Sequence, residues 1–407
     1  MLEFIKKPFY RNLLVLAIVL RLLVAAFYFH PDIKTFNFQS SFLKKGVFNI
    51  YSHLVSNKET LPLKEGFVYF PLTYFFLGSY QILASPVLGE GFDSWLFDAS
   101  QKLFVNENIY RYLLVLKFPF LVLDLAIAFL LMSFFKEEEK KRLAFTFWLF
   151  NPFTIILIYI FSNIDIIPVT LTVAALLFAK KEKFTLSSVF LGIASLFKLY
   201  PILFLPFLFL RAPRREKIAV ILIPLLIFLA TILPFWSKAF VSSALISGLT
   251  TRIFSSGFNI GFNETIIVGL VFLSFLFFFA WLVDKNIKLL SYFTVALLLI
   301  FSFSHFHIQW LLWLAPFLLI LAVSQKNLRL PVFLLSVLAL SIPFFYQDRS
   351  MTVSLFKAYS LWYDLVPTPF VVLQKIYDPY NFQSILHSLF GGGSMLLSYV
   401  IFKNKDS

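Results

Sequence analysis

Long apolar runs recur along the chain from Leu13 to Ile401, and they constrain its fold more than any other feature. Of the 407 residues, 60% are hydrophobic, and the mean hydropathy is +0.85. Runs of about 16 to 20 or more apolar residues suit helices that cross a bilayer. The runs lack the alternation of a transmembrane β-barrel, and a backbone in hydrocarbon must satisfy its own hydrogen bonds. The sequence therefore predicts an all-α, polytopic membrane protein.

The apolar runs define ten candidate spans. They cover roughly 12–29, 111–134, 143–161, 164–179, 217–236, 265–283, 288–304, 308–323, 330–346 and 388–402. Segments 67–88 and 184–210 are ambiguous, and with them we expect about 12 transmembrane helices. The simplest organisation is one integral membrane domain, 1–407, with a core of 1–283 and a more variable part of 284–407. No small-residue cleavage site follows the basic N-terminus and the first run, so we expect that run to be retained as a span.

Short loops rich in Lys and Arg set the predicted topology. They are Lys136–Arg142, Lys180–Lys183, Arg211–Lys217, Lys285–Lys288, Lys326–Arg329 and Lys403–Lys405. The positive-inside rule places them all in the cytoplasm. Segment 67–88 must then be a helix that is embedded on the outer side of the membrane without crossing it. Segment 184–210 forms two short helices that meet outside at 198–200, because Pro201 breaks the helix. The alternative topology makes each of these segments one full span, which puts two of the basic loops outside.

On the preferred topology four regions face the outside: 30–110, the turn around 163–165, 237–264 and 347–387. The first contains an amphipathic piece, Phe36 to Val47, that suits a helix lying on the membrane surface. We expect these regions to hold nearly all of the candidate chemistry.

Charge and cysteine content exclude several functions. The formal net charge is +14, but the basic residues lie in short clusters between apolar runs and do not form one stripe. They fit topology signals and contacts with lipid headgroups better than a nucleic-acid interface. The chain has no cysteine, which excludes disulfides, thiol catalysis and cysteine-based metal sites.

Seven short motifs follow one another along the chain. They are His30-Pro31-Asp32, Gly46-Val47-Phe48-Asn49-Ile50-Tyr51, Val68-Tyr69-Phe70-Pro71-Leu72, Asn151-Pro152, Asn163-Ile164-Asp165, Phe197-Lys198-Leu199-Tyr200-Pro201, and Ser304-His305-Phe306-His307-Ile308-Gln309-Trp310 followed by Trp313. Their order resembles that of the GT-C superfamily, membrane glycosyltransferases that use polyprenyl-phosphate sugars. The closer likeness is to its mannosyltransferases, namely the catalytic subunit of GPI mannosyltransferase I and the actinobacterial enzymes that extend phosphatidylinositol mannosides. It covers residues 10 to about 320.

The resemblance implies a GT-C-like bundle whose long first extracytoplasmic loop carries surface-lying helices. It implies an inverting hexosyltransferase of glycolipid biosynthesis that moves a sugar, with mannose favoured, from a polyprenyl-phosphate donor to a lipid-linked or glycan acceptor. The expected location is a bacterial or archaeal plasma membrane, with the active site on the extracytoplasmic side and membrane lipids as further partners. A membrane-embedded donor fits the lack of a Gly-rich phosphate loop. No cofactor and no nucleic acid are expected.

This sequence departs from the family pattern at two places. The family often has a paired acid in its first loop, whereas Asp32 stands alone, with Lys34 two residues later. The motif usually read Tyr-Pro-Pro is Tyr69-Phe70-Pro71. Both departures weaken the expectation that the enzyme depends on a metal ion, and they do not determine which sugar it transfers.

Asp32 and Lys198 carry the predicted chemistry. An acceptor hydroxyl has a pKa far above 7, so its attack on an anomeric carbon benefits from a carboxylate that takes the proton, and Asp32 is the candidate. Lys198 lies among apolar residues, and paired with a phosphate leaving group it would stabilise the charge that develops there. The alternatives are a solvated Asp32 at the interface and a Lys198 that snorkels to it.

The other candidates bind substrate. His307 and Gln309 can donate hydrogen bonds to phosphate oxygens, a role that the resemblance gives to the His-x-Gln pattern, and Arg252 is a possible further phosphate ligand.

Asp165, with Asn163 beside it, could orient Lys198 or bind a sugar hydroxyl, although either residue also suits a helix N-cap before Pro168. The substrate-binding candidates are Asp165, Asn163, Tyr69 and His305. A divalent metal on His305, His307 and Asp165 is possible but not favoured.

Three further features of the sequence are better explained by structural roles than by catalysis or substrate binding. Arg21 and Asp124 lie inside predicted spans and are expected to pair with each other. Asn151-Pro152 should set a kink. Trp236, Trp310 and Trp313 fit interfacial aromatics, although an aromatic face also suits a sugar ring.

Two other functions stay open at this point. A transporter or lipid flippase is one, but such proteins often carry internal repeats, and the break at Lys198 has no evident counterpart in the second half of the chain. A non-catalytic membrane subunit is the other, supported by the lone acid in the first loop.

Overall fold

Helices make up most of the protein. The computed structural model describes residues 6–98, 106–247, 251–252, 255–284 and 286–403. Its helices are α1 Pro8–Phe27, α2 Pro31–Ser41, α3 Ile50–Ser56, α4 Pro71–Leu88, α5 Gly91–Phe97, α6 Ile109–Met132, α7 Glu138–Leu149, α8 Pro152–Ile155, α9 Ile166–Lys180, α10 Phe184–Ser195, α11 Leu205–Arg211, α12 Lys217–Ile232, α13 Lys238–Phe240, α14 Val268–Phe278, α15 Leu289–Ser302, α16 Leu311–Ser324, α17 Arg329–Phe344, α18 Pro369–Leu373 and α19 Pro379–Lys403.

Short turns of 3-10 or π helix extend or connect several helices. The 3-10 turns are Phe42–Lys45, Tyr200–Phe204, Leu233–Phe235, Ile308–Trp310, Lys326–Leu328, Arg349–Met351, Val353–Phe356 and Leu361–Asp364, and the π turns are Ile156–Ile160, Val241–Leu245 and Phe279–Val283. Two strands, β1 Gly257–Gly261 and β2 Glu264–Ile267, pair antiparallel as a hairpin.

The long helices identify a membrane protein. Within the described residues, five are long and apolar enough to cross a bilayer: Pro8–Phe27, Ile109–Met132, Lys217–Phe235, Lys326–Phe344 and Pro379–Lys403. A sixth arises if Glu138–Leu149 and Pro152–Ile160, bent by 42° at their junction, form one span. Shorter apolar helices of 10 to 17 residues fill the space between them. The chain is therefore an all-α membrane protein, as its apolar runs predict.

Helices occupy all ten predicted spans, and the two predicted proline breaks are confirmed. Asn151-Pro152 separates α7 from α8 at the 42° bend. Helix α10 ends at Ser195, and the chain restarts as a 3-10 turn at Tyr200 with Pro201 in its first turn. The ambiguous segment 67–88 is extended up to Phe70 and becomes helix α4 at Pro71.

Two details differ from the sequence prediction. Residues 36–42, which belong to the segment predicted to lie on the membrane surface, are all buried in the protein. Helix α2 packs on α4 and α5, so neighbours cover both of its faces. The segment predicted to open the span 265–283 is instead strand β2, and the helix starts only at Val268. Lys285 and Lys405 in the predicted basic loops lie outside the described residues.

A buried ion pair joins the first helix to α6, as expected from the sequence. Arg21 Nε lies 2.5 Å from Asp124 Oδ2, and both side chains are fully buried. Arg21 also donates to the carbonyl of Leu149 at 2.9 Å. Asp124 in turn accepts hydrogen bonds from Trp148 Nε1 and the Tyr159 hydroxyl. Because both charges have several partners, the pair fixes how α1, α6 and α7 fit together.

A second buried cation, Lys117 of α6, holds two chain segments together. Its ammonium donates to the carbonyls of Ala25 and Tyr28 at the end of α1, at 2.9 and 2.6 Å. It also donates to the carbonyl of Tyr159 in the turn after α8, at 2.8 Å. Each of these segments leads within a few residues to a candidate site residue.

Candidate functional site

Asp32 lies in the first turn of α2, where three other chain segments surround it. Pro31 begins the helix, and His30 caps it by accepting from the Asp32 backbone N–H at 3.3 Å. The Asp32 Oδ2 atom accepts from Gln309 Nε2 at 3.1 Å and from Asn163 Nδ2 at 3.5 Å. Asn163 and Gln309 are 131 and 277 residues away in the chain. The side chain keeps 35% of its surface exposed, so it also faces open space.

The surroundings of Asp32 favour its neutral form. Burial raises its pKa to about 7, the charges of Asp348 and Asp165 add to the rise, and that of Lys198 opposes it. His30 does not act as a counter-charge, because burial lowers its pKa to about 4. Asp32 is thus a carboxyl group that changes its charge near neutral pH.

Lys198 lies in the break after α10, beside a buried acid. Its Nζ is 3.5 Å from Asp165 Oδ1, and Trp313 Nε1 donates to the same oxygen at 2.9 Å. The ammonium also lies over aromatic rings, 4.9 Å from the Tyr69 centroid and 5.7 Å from that of Trp310. Aromatic faces attract a cation, so these contacts hold the ammonium without neutralising it.

Asp165 does not play the capping role that its position allows. It occupies the N-cap of α9, but its side chain accepts no hydrogen bond from the helix backbone. Its Oδ2 atom is buried without a hydrogen-bond partner among the described residues, while Oδ1 interacts with Lys198 and Trp313. Because the carboxylate points away from its own helix, its main contacts are with Lys198 and α16.

An apolar cavity of about 400 Å³ opens beside Lys198. Tyr69, Tyr200, Trp310 and Trp313 contribute aromatic walls, and Leu, Ile and Phe side chains complete the lining. Trp313 stacks between its neighbours, with ring centroids 4.2 Å from Tyr200 and 5.1 Å from Trp310. One ammonium in a mainly apolar pocket suits a ligand with an anionic head and an apolar tail.

Asp32 and His307 do not line this cavity but lie next to it. Gln309 connects them to it, since it donates to Asp32 and directly precedes the lining residue Trp310. The His307 ring contacts Trp310 at a centroid distance of 5.6 Å. The charge of Lys198 acts on both Asp32 and His307. The acid and the cavity are therefore neighbouring parts of one site.

Two histidines and Arg252 lie close together on one side of the site. Burial lowers the His307 pKa to about 3, with Arg252 and Lys198 adding to the effect. Burial and the Arg252 charge also lower the pKa of His305, which stacks on Tyr346 at 4.7 Å. Both imidazoles are thus neutral donors or acceptors at pH 7. Arg252 Nη1 is buried without a hydrogen-bond partner in the described part of the chain.

The alternative of a metal site on His305, His307 and Asp165, which the sequence did not favour, finds no support in the contacts of these residues. Asp165 contacts Lys198 and Trp313, whereas His305 stacks on Tyr346. Among the described residues, no three His, Cys, Asp or Glu side chains are placed to hold one metal ion.

The sequence did not single out Asp348 or Tyr346, and it assigned Trp313 mainly to the membrane interface. Asp348 is close enough to act on both Asp32 and His30. No motif or spacing marked it, because it follows α17 in an irregular segment. The available signal for Trp313 was its position three residues after Trp310, which puts both rings on one face of a helix.

No protein-family model and no curated protein matches this chain, so comparison with known proteins assigns it neither a family nor a function. Its function therefore rests on the geometry of the site.

Proposed function

We propose that this protein is an inverting glycosyltransferase. It transfers a sugar, with mannose favoured, from a polyprenyl-phosphate donor to a lipid-linked or glycan acceptor. The observation that carries the proposal is the convergence of Asp32 and Lys198 at one site, from parts of the chain that are far apart in sequence. A carboxylate next to the cavity and an ammonium that lines it match the two demands of this reaction, a base and a stabiliser of the leaving group.

The properties of Asp32 support its role as the base. A general base works best when its pKa lies near the working pH, and the pKa of Asp32 is raised to about 7. Gln309 and Asn163 both donate to Oδ2. These two bonds orient the carboxylate and leave its other oxygen for the acceptor hydroxyl.

The surroundings of Lys198 support a phosphate site. A phosphate group next to Lys198 would meet an ammonium held by Asp165 and by aromatic rings. Arg252 and the neutral imidazole of His307 can add hydrogen bonds to the phosphate oxygens. The apolar cavity can then hold the first isoprene units of the donor.

The reaction is a single displacement. The acceptor oxygen forms a bond to the anomeric carbon while the bond from that carbon to the phosphate oxygen breaks, so the configuration inverts. The acceptor proton passes to the Asp32 carboxylate, and the electron pair of the broken bond stays on the polyprenyl phosphate. That leaving group gains negative charge, which Lys198 stabilises more strongly than it stabilises the donor.

The proposal includes a membrane arrangement. In it, the five or six long helices cross the bilayer, and the shorter apolar helices bring the number of spans to about 12. With the basic loops in the cytoplasm, the site faces the extracytoplasmic side of a bacterial or archaeal plasma membrane.

The decisive experiment compares Asp32→Asn with Asp93→Asn in liposomes that contain radiolabelled polyprenyl-phosphate mannose and a membrane-lipid extract as acceptor. Asp93 is an exposed acid paired with Lys44, and its replacement is the matched control. We expect Asp32→Asn to slow transfer by about 100-fold or more, since general-base catalysis contributes that much, and the control to match wild type. Wild-type rates in Asp32→Asn exclude the assigned base. Failure of the wild type to use any polyprenyl-phosphate sugar contradicts the proposed function.

A further inference from the structure

A second cavity, of about 600 Å³, lies at the other end of α9 from the site. Asp165 precedes the first turn of α9, and Lys180 ends its last turn and lines this cavity. A helix of 15 residues is about 22 Å long at 1.5 Å per residue. The two cavities are therefore on opposite ends of the bundle, and the proposed function uses only the first.

Basic side chains from four chain segments converge on this second cavity. They are Lys136, Lys140, Lys180, Arg211 and Lys288, against the acids Glu137 and Glu182. The segment from the loop after α6 into the first turn of α7, the ends of α9 and α11, and the start of α15 supply them. Cations near the ends of α9 and α11 are favoured by the helix dipole. The dipole does not explain why separate segments bring five cations to one cavity.

The acids of the cavity do not neutralise all of these cations. Glu137 pairs with Lys140 at 3.0 Å. Neither Lys136 nor Arg211 has a carboxylate of the described residues within ion-pair distance, and the Lys180 ammonium donates to the carbonyl of Phe134 instead. Lys136 also repels the charge of Lys180. Like charges held together in one cavity favour an anion between them.

The walls of the cavity indicate which class of anion it binds. Most of its lining surface is apolar, and Phe134, Leu176, Leu289 and Ile320 contribute to it. A soluble anion would gain nothing from these walls, whereas the glycerol and upper acyl segments of a lipid would be buried against them. Basic pockets between membrane helices near the headgroup level bind anionic lipids in this way.

We propose that this cavity binds the phosphate headgroup of an anionic phospholipid. Lys136, Lys180 and Arg211 contact the phosphate, and the apolar wall contacts the first carbons of the lipid chains. This site does not depend on the proposed transferase activity, so it can be tested in an inactive protein.

The test uses the absence of cysteine in the chain. Ser324 lines the cavity and is exposed, so Ser324→Cys gives one reactive thiol there. The measured quantity is the rate at which a water-soluble maleimide modifies this thiol in neutral detergent micelles. We expect added phosphatidylglycerol to slow the modification at least fivefold and phosphatidylcholine to leave it unchanged. Equal effects of the two lipids would overturn the proposal.

Replacing charged residues in the Ser324→Cys protein tests which side chains contact the lipid phosphate. We expect Lys136→Gln with Arg211→Gln to raise the phosphatidylglycerol concentration for half-protection about tenfold or more. The matched control, Lys238→Gln with Lys375→Gln, removes the same charge at exposed positions and should change nothing. Lys136→Arg with Arg211→Lys keeps the charge and should restore protection, which separates lost binding from misfolding. Equal losses in the two neutralised variants would overturn the assignment.

Inorganic phosphate distinguishes the source of the anion. If the ligand is a lipid, millimolar phosphate alone should give no protection of the Ser324→Cys thiol. Full protection by phosphate, with no advantage for phosphatidylglycerol, would replace the lipid with a free phosphate and overturn the proposal.

Discussion

The carboxyl group of Asp32 has a pKa near 7, so small changes of pH alter its charge. A base must be ionised to accept a proton, and the ionised fraction of Asp32 rises as the pH passes through about 7. We therefore expect kcat/KM for transfer to rise about tenfold per pH unit below this value and to level off above it. A pH–rate profile from pH 5.5 to 8.5 measures this. A flat profile over that range would exclude Asp32 as the base.

The same pKa makes stability depend on pH. The ordinary pKa of this carboxyl group is 3.8, and in the folded protein it is raised to about 7. Between these values the folded state holds a proton that the unfolded state has lost, so the contribution is complete below about pH 4 and disappears as the pH rises through 7. We expect the melting temperature of wild type to fall more between pH 5 and 8 than that of Asp32→Asn. Parallel curves for the two proteins would contradict the raised pKa.

Trp313 supports the lysine through a single hydrogen bond. Its indole N–H donates to Asp165, and its ring stacks on Tyr200. Trp313→Phe keeps an aromatic ring but removes the donor, so Asp165 holds Lys198 more strongly and the ammonium is less available to phosphate. We expect KM for the donor to rise about tenfold or more, because a hydrogen bond to a charged group contributes about 1.5 to 3 kcal/mol. Trp362→Phe, at an exposed ring, is the control and should behave as wild type.

At the level of helices, Lys117 connects the scaffold to the site. Its ammonium bonds to Tyr28, four residues before Asp32, and to Tyr159, four residues before Asn163. Lys117→Met leaves three buried carbonyls without their donor. We expect a loss of about 3 kcal/mol or more in the free energy of unfolding, at about 1 kcal/mol or more for each buried carbonyl. Thermal unfolding in detergent measures the change, and Lys44→Met at an exposed ion pair should leave the protein near wild type.

Local chemistry made some elements predictable. Pro152 and Pro201 each follow a polar residue within an apolar run, by one and three positions, and a proline cannot donate its backbone hydrogen bond to a helix, so both breaks could be located from sequence. The burial of residues 36–42 was not predicted, because the sequence pattern does not reveal that α2 packs on α4 and α5. The hairpin was missed because its second strand ends in Ile266 and Ile267, which were assigned to the apolar run that follows.

Contacts between distant residues were beyond prediction from the residues themselves. Gln309 and Asp32 are 277 positions apart, and nothing in either segment specifies the other. Only the order of motifs suggested that they belong together. Asp348 had no motif at all, so its effect on Asp32 became visible only in three dimensions. The ion pair of Arg21 with Asp124 was the exception, since two charges inside apolar spans have few other ways to be satisfied.

At the scale of the whole molecule, the topology can be tested residue by residue. The chain has no cysteine, so single cysteines can be introduced and labelled with an impermeant maleimide on intact cells. We expect Lys58→Cys, in the first outer region, to be labelled directly. Lys140→Cys should be labelled only after permeabilisation, because the proposed topology places the basic loops in the cytoplasm. Direct labelling of Lys140→Cys would favour the alternative topology, in which 67–88 is a full span.

The pairing of Arg21 with Asp124 also affects how the chain is made. The two residues are separated by 103 positions, and ribosomes add about 5 to 20 residues per second. The first helix therefore waits about 5 to 20 seconds for its partner. An unpaired arginine near the middle of a bilayer helix costs about 2.5 to 3.5 kcal/mol on insertion scales. We expect the newborn first helix to stay beside the translocon, and to leave for the lipid only together with the segment that carries its counter-ion.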